Sequence, residues 1–451
     1  MPDQLTKSFQ KQVASTRARS SDAGKAPPPA AGERQETIGT LQTIVARQPV
    51  FDENGHIWGY ELLYRKPDAT TAVIVDGSVA TSSVIVNGFD VVRPGLRRGQ
   101  KVLINFTADL IEAQAIKLLP PATCIAEILE DTEPTPEVLG AVRQLKAAGY
   151  SIAVDDYTGQ ENLQPFIPLA DVLKMDVPLL SSDSIGRHVD LLRQYPCRLL
   201  AEKVEDKQTV AECRKLGFSL FQGYFFSKPE LVKGRKISPS QAGRMRILAV
   251  CSKDNASIDE LTEAIRHDPI IMMRFLKFVN SAYFGFSTKI KNVQHALNLV
   301  GRNTFIQWLC VTALADMDST PLSRELAYLA AQRAKFLESL ALLLEQRSCL
   351  PSGNTPQSIF LVGMFSLLES ALGIPLAEIL DGVPIDPAVI AALRNESSPY
   401  RIWFALMLFH ERGEWDKAFV LAKNLRLTEA ELNNAYADAV QWTSQYFNYG
   451  H

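Results

Sequence analysis

Short apolar runs in the first half of this chain of 451 residues carry acids, amides and an amine near their carboxyl ends. Glu61 stands in Tyr60-Glu-Leu-Leu-Tyr-Arg65, Asn105 in Ile104-Asn-Phe-Thr107, and Glu127 with Glu130 in Ala126-Glu-Ile-Leu-Glu130. Further along come Asp155-Asp156, Lys174 in Leu173-Lys-Met-Asp176, Glu202 in Ala201-Glu-Lys-Val-Glu205, and Gln222 in Phe221-Gln-Gly-Tyr224. Carboxylates and an amide gathered at one place repel each other unless something positive sits among them. Hard oxygen ligands suit Mg²⁺ or Mn²⁺, whereas zinc would want His or Cys. Two such ions a few ångströms apart could activate a water and hold a phosphate for in-line attack. One acid after one strand is commonly a helix cap, but capping does not account for the whole set.

The elements that must position these residues are short β-rich runs alternating with helix-period segments. The expected strands are Thr43–Phe51, Ile57–Tyr64, Lys101–Phe106, Thr123–Leu129, Ser151–Tyr157, Val172–Met175, Arg198–Val204 and Leu220–Phe226. The clearest helix runs from Thr135-Pro136-Glu137 to Ala148-Gly149, with a capping residue, proline at the first helical position and glycine just past the end. Alternating units imply a parallel sheet, and eight strands imply a closed (β/α)8 barrel of the TIM type over residues 41–233, whose strand ends converge on one rim. That is a lean barrel, since ~250 residues are typical.

Residues 1–40 lack apolar periodicity and are rich in Ala, Pro, Ser, Gln and charge, including Lys25-Ala-Pro-Pro-Pro-Ala-Ala-Gly32. They read as a disordered tail, with no apolar stretch of the kind a signal peptide needs. After Gly234-Arg-Lys-Ile-Ser-Pro-Ser240 the character changes, and residues 241–451 read as an all-helical domain, with capping boxes at Ser257-Ile-Asp-Glu260 and Thr428-Glu-Ala-Glu431. The net charge of −3 gives no basic balance to attract nucleic acid. The longest near-apolar run, Ile359 to Leu368, is far shorter than the ~20 residues of a membrane span. Six scattered cysteines without a C-x-x-C pair argue against a disulfide scaffold and fit a reducing cytoplasm.

The order and context of the first-half motifs resemble the EAL family of bacterial cyclic di-GMP phosphodiesterases. Glu61-Leu-Leu63 matches the signature strand with Arg65 in the usual arginine position, and Arg47-Gln-Pro-Val50 resembles the family's opening strand. Ile104-Asn-Phe-Thr107, Glu127-Ile-Leu-Glu130, Val154-Asp-Asp-Tyr157, Leu173-Lys-Met-Asp176, Ala201-Glu-Lys-Val-Glu205 and Gln222-Gly-Tyr-Phe-Phe-Ser-Lys-Pro229 follow in family order. The resemblance implies a two-metal site. Glu61, Asn105, Glu127 and Asp155 would ligate one Mg²⁺ or Mn²⁺, Asp156 would reach the second, and Glu202 would ligate or orient. Lys174 would hold the attacking water, Glu130 would brace the loop after Asp156, Arg65 would serve the substrate, and Gln222 would touch the substrate or a metal-bound water. The loop itself departs from the family's D-D-F-G-T-G-Y-S-S, reading Asp155-Asp-Tyr-Thr-Gly-Gln-Glu-Asn-Leu163 with Thr158 at the first glycine. The segment between Glu61 and Asn105 is also short, so the implied enzyme has an intact metal shell and an eroded substrate shell. Weakened or lost hydrolysis with cyclic di-GMP binding retained is the expectation; an active phosphodiesterase and a pure interaction scaffold are the alternatives.

In the second half, Val279-Asn-Ser-Ala-Tyr-Phe-Gly285, preceded by Ile265-Arg-His-Asp-Pro269 and followed by Ala296-Leu-Asn-Leu-Val-Gly301, resembles the HDOD family of signalling domains. His267-Asp268 invites a metal-phosphohydrolase reading, but the segment Phe360–Glu369, where a second dyad is expected, holds no histidine. Asp268-Pro269 reads as a helix break with local capping. The combined resemblance implies a cytoplasmic protein that acts in cyclic di-GMP-linked motility or attachment, binds protein partners through its helical module, and has a homodimer among its possible states.

Overall fold

In the computed structural model, residues 45–64, 77–223, 225, 238–253, 256–266, 268–286, 288–318, 320–379 and 385–450 are described. The expected tail, Arg65 and His267 fall outside them. Eight strands close a barrel in sequence order: β1 Val45–Asp52, β2 Ile57–Tyr64, β3 Lys101–Phe106, β4 Cys124–Ile128, β5 Ser151–Val154, β6 Val172–Asp176, β7 Arg198–Glu202 and β8 Leu220–Gln222. The parallel-sheet expectation needs one correction, because β1 runs antiparallel to both β2 and β8 while the other neighbours are parallel. The cause is the tight β1–β2 connection. Asp52 Oδ1 accepts from the amides of Asn54 and His56 and Gly55 turns at φ 79°, leaving no room for a crossover helix.

Successive strand side chains alternate between faces, and here the alternation builds two layers inside the barrel. The lower layer is apolar: Val50, Leu103, Ile125, Ala153, Val172, Leu200 and Leu220, with Trp58 packed against it. Two residues nearer the rim on the same strands stand Gln48, Asn105, Glu127, Asp155, Lys174, Glu202 and Gln222; Glu61 completes the ring from β2. The strands' outer faces belong to a second, continuous core shared with the helices.

Barrel helices α1 Gly77–Val92, α2 Ala108–Glu112, α3 Pro136–Ala147, α4 Ser182–Leu192 and α5 Lys207–Leu216 follow β2, β3, β4, β6 and β7. Thr135 caps α3 through the amide of Val138, and Gly149 ends the turn after it at φ 87°. Between β5 and β6 there is only a short 3-10 turn, Gln164–Leu169, which is one source of the barrel's leanness.

Ser238 and Pro239, at the end of the stretch read as a linker, start the helical half: Ser238 and Gln241 form a capping box. The helices are α6 Pro239–Cys251, α7 Ile258–Ile265, α8 Pro269–Val279, α9 Val293–Val300, α10 Arg302–Ala315, α11 Pro321–Gln346, α12 Pro356–Phe365, α13 Leu368–Leu372, α14 Leu376–Ile379, α15 Pro387–Leu393, α16 Arg401–Glu411, α17 Trp415–Asn424 and α18 Glu429–Gly450. The expected capping boxes form at Ser257/Glu260 and Thr428/Glu431. Asp268 caps α8 through the amides of Ile270 and Ile271 while Arg244 pairs with its other oxygen at 2.6 Å.

Barrel helix α1 covers one end of the β1–β2 hairpin, where Tyr64 donates to the carbonyl of Ile85 and Gly88 lies against Val45 and Tyr64, and the helical half covers the rest of its outer face. Arg47 on β1 is buried under α11, where it donates to Gln332 Oε1 at 2.6 Å and lies over the Tyr60 ring at 4.2 Å. Arg97 pairs with Glu325, and Tyr328 donates to the carbonyl of Gly95 at 3.3 Å. Gly413, at φ 67°, lies against Leu63; a Cβ there would come within 2.9 Å of Leu63 Cδ1. Residues 42–451 therefore form one compact unit.

His410 sits at the centre of the helical packing, fully buried among Phe336, Trp415 and Tyr436, with neither ring nitrogen hydrogen-bonded among the described residues. Burial favours the neutral ring and lowers its pKa from 6.5 to about 3. The unfolded chain therefore binds a proton that the folded chain refuses, so stability is full above pH 6.5 and falls as pH drops toward about 3. His410→Phe should leave stability at pH 8 nearly unchanged and raise it at pH 4 by about 2–3 kcal/mol, measured by urea denaturation.

Candidate functional site

The polar layer gathers seven of the residues expected to do chemistry. Lys174 Nζ is the hub: it lies 3.2 Å from Glu61 Oε2, 2.8 Å from Asp155 Oδ1 and 3.0 Å from Glu202 Oε1, and it also pairs with Glu127. Asn105 Nδ2 reaches Glu61 Oε1 at 3.5 Å, and Gln222 Nε2 donates to Glu61 Oε2 at 2.6 Å. The last contact depends on Gly223, at φ 138°, where a Cβ would strike the carbonyl oxygen of Val204 at 2.2 Å.

Four carboxylates around one ammonium, nearly all of it out of water, make a charge-imbalanced cluster. Burial alone would lower Lys174, but Glu127, Glu202, Glu61 and Asp155 overcome it and hold the ammonium well above its ordinary range. Lys174 is therefore a fixed cation. Burial acts the other way on Glu127 and Glu202, pushing both well above the usual carboxylate range despite the attraction of Lys174. Acceptors also outnumber donors: Asn105 Oδ1, Glu127 Oε2, Glu202 Oε2 and Gln222 Oε1 are buried with no hydrogen-bond partner among the described residues. Buried acceptors without donors are costly, and these unpartnered oxygens, beside carboxylates that converge on Lys174 Nζ, are hard donors of the kind a divalent cation takes. The residues thus fit Mg²⁺ or Mn²⁺.

Asp156 and Glu130 stand at the edge of the layer. The amide of Asp156 donates to Asp155 Oδ1 at 3.0 Å, and carboxylate oxygens of Glu130, Asp155 and Asp156 lie within 4.8 Å of one another. The brace between Glu130 and the following loop runs through the Glu130 carbonyl, which accepts from Asn162 Nδ2 at 3.0 Å. Gln160 folds the loop back on itself, donating to the Asp156 carbonyl and accepting from the amide of Thr158.

Three residues of the site were not read from the sequence. Gln48 accepts from Gln222 Nε2 at 2.8 Å. It escaped because polar residues were sought at carboxyl ends, whereas antiparallel β1 reaches the rim with its amino end. Asp176 and Lys203 pair with each other beside Asp156; each sat in a quoted motif next to a residue that drew attention first.

Comparison with known proteins gives the following likenesses. The EAL domain matches residues 100–229 and the HDOD domain residues 239–346. The uncharacterized protein YuxH of Bacillus subtilis is 31% identical over 413 residues, covering 89% of this chain and 98% of that one. The cyclic di-GMP phosphodiesterase CdgJ of Vibrio cholerae is 28% identical over 406 residues, covering 89% of this chain and 92% of its own length. Among solved structures, the Bacillus subtilis YkuI protein with an EAL domain, in complex with substrate c-di-GMP and calcium, is 18% identical with a TM-score of 0.35, covering 50% of this chain and 72% of that one.

The raised carboxylates make the metal-free centre pH-sensitive. Glu127 and Glu202 hold protons when folded that they lose when unfolded, so their stabilising effect is complete below pH 4.5 and is lost as pH rises through their folded values. Denaturant midpoints in chelator should therefore fall as pH rises above 4.5, and Mg²⁺ should flatten that slope. Lys174→Met should cost roughly 3 kcal/mol or more in chelator, because it strands buried carboxylates, and should recover more with Mg²⁺ than the parent does.

Proposed function

The chain belongs to the EAL–HDOD family of signalling proteins, and on that premise we propose that its barrel is a metal-dependent phosphodiesterase that binds cyclic di-GMP and opens it slowly. The observation that carries this reading is the gathering of Glu61, Glu127, Asp155 and Glu202 around Lys174 in the barrel mouth, with buried acceptors of Asn105, Glu127, Glu202 and Gln222 left without donors among the described residues. The relative CdgJ, alike over nearly its whole length, carries the phosphodiesterase name and supports the substrate class.

In this reading Glu61, Asn105, Glu127 and Asp155 hold one divalent cation, and Asp156 faces a second position. A bound Mg²⁺ or Mn²⁺ would polarise a water and a phosphate oxygen. Lys174, held protonated, donates hydrogen bonds and keeps the attacking water in place; it cannot accept a proton. Glu202, 3.0 Å from Lys174 in the same layer, is the carboxylate assigned to take the proton. Gln222, fixed by Gln48 and Glu61, presents its amide to the substrate. Arg65 is assigned to substrate binding from its motif alone.

Slow turnover is proposed because the loop after Asp156 carries Thr158 and is tied inward by Gln160. The same observation favours a second reading, in which cyclic di-GMP binds without hydrolysis and the barrel acts as a sensor. The helical domain is proposed as a non-catalytic module for protein partners, since Asp268 is engaged in capping and in the pair with Arg244. This reading places the chain in the cytoplasm, in control of motility or attachment; among the described residues no helix is long and apolar enough to cross a membrane.

Incubation with cyclic di-GMP and Mn²⁺ should release the linear dinucleotide. Glu61→Ala should abolish turnover, and Glu202→Gln should lower kcat about 10²–10⁴-fold. Heat of binding without product would select the sensor reading, and neither heat nor product at millimolar nucleotide would overturn both.

A further inference from the structure

Two non-glycine residues at the rim hold left-handed backbones: Asp156 at φ 41° and Lys203 at φ 53°. Such a conformation is strained for a residue with a Cβ and persists where its surroundings fix it. At Lys203 the consequence is directional. Glu202 points into the polar layer, so continued extended backbone would send residue 203 to the outer face. The left-handed turn brings its side chain over the rim instead, where Nζ pairs with Asp176 Oδ2 and lies 3.6 Å from Asp156 Oδ1. Asp176 stands two residues beyond Lys174 on the same inward face, with its side chain 3% exposed. It anchors the ammonium from below.

We propose that Lys203 is a tethered cation standing in for the second divalent ion, so that the chain holds one ion, on Glu61, Asn105, Glu127 and Asp155. This inference rests on the metal-centre reading above. A second ion would need Asp156, together with Asp155 and Glu130, whose carboxylate oxygens lie within 4.8 Å of one another. That ion would sit beside an ammonium already 3.6 Å from the same Asp156 oxygen and unable to withdraw without stranding buried Asp176. Lys203 is 58% exposed, so the repulsion is partly screened, but with Asp176 holding the ammonium in place it weakens a second ion on this donor set. A lysine ammonium is a point charge with three donors. It can steady Asp156 and a phosphate oxygen, but it binds no water for deprotonation. Lys203 is thus a positioning residue that replaces the charge of an ion and none of its acid chemistry.

The test is Mn²⁺ stoichiometry on the full chain without nucleotide, read from the loss of the free-ion electron paramagnetic resonance signal. The parent should bind one Mn²⁺ per chain. Lys203→Gly, which removes the ammonium and relaxes the left-handed backbone, should bind a second Mn²⁺ at least about tenfold more tightly than the parent does. Lys203→Arg, which keeps the charge, should stay at one. Lys203→Met, checked by circular dichroism melting, gives the same reading if the glycine variant does not fold. Two ions of comparable affinity in the parent, or a single ion in both neutral variants, would overturn the role of Lys203 and leave the metal centre standing. No ion in the parent would overturn the metal centre itself.

Discussion

Packing acidic side chains into the mouth of a barrel built on an apolar floor sets the terms for the rest of this molecule. Val50, Leu103, Ile125, Ala153, Val172, Leu200 and Leu220 keep water from below, and the next inward position on each strand is polar. Among the described residues, Lys174, 1% exposed, is the ammonium that pairs with Glu61, Glu127, Asp155 and Glu202. Buried ion clusters of this kind are weak sources of stability. The excess of acceptors over donors makes the centre incomplete without a further cation, and that imbalance is the physical link between fold and chemistry.

The same strands that carry this layer tie the two halves together. The β1–β2 hairpin is covered by α1 at Val45 and Tyr64, and by α11 and the turn after α16 through Arg47, Gln332 and the Gly413–Leu63 contact. Gln48 lies beside Arg47 on β1 and bonds Gln222, which bonds Glu61. The helical domain thus packs on the backs of strands whose fronts line the site. A shift of α11 would be felt at Gln48 one residue away from Arg47.

Much of this was legible in the sequence because the barrel repeats a two-residue alternation eight times. A polar residue two places beyond an apolar one near a strand's end is a local signal, and Asn105, Glu127, Asp155, Lys174, Glu202 and Gln222 carry it, while Glu61 stands out as an acid within the apolar run Tyr60–Leu63. Strands β2 and β3 have the bounds expected for them, whereas β5 is shorter because the chain leaves the sheet at Asp155 to form the rim. What escaped depended on direction and on conformation. Gln48 was hidden by the reversed sense of β1, and Lys203 by a backbone turn that no side-chain pattern announces. The closing of the hairpin's outer face by α11 is a contact across more than two hundred residues, written in Arg47 and Gln332 only as an out-of-place cation and amide.

The central claim is that the carboxylate layer is a cation site that Lys174 only partly satisfies. The most direct measurement is a crystal structure of the full chain grown with Mn²⁺, using anomalous scattering to locate the metal. The account predicts a peak about 2.0–2.6 Å from oxygens of Glu61, Asn105, Glu127 and Asp155, with Lys174 displaced from the centre toward Glu202. Lys174 still bonded to all four carboxylates at saturating Mn²⁺, with no peak among them, would contradict it.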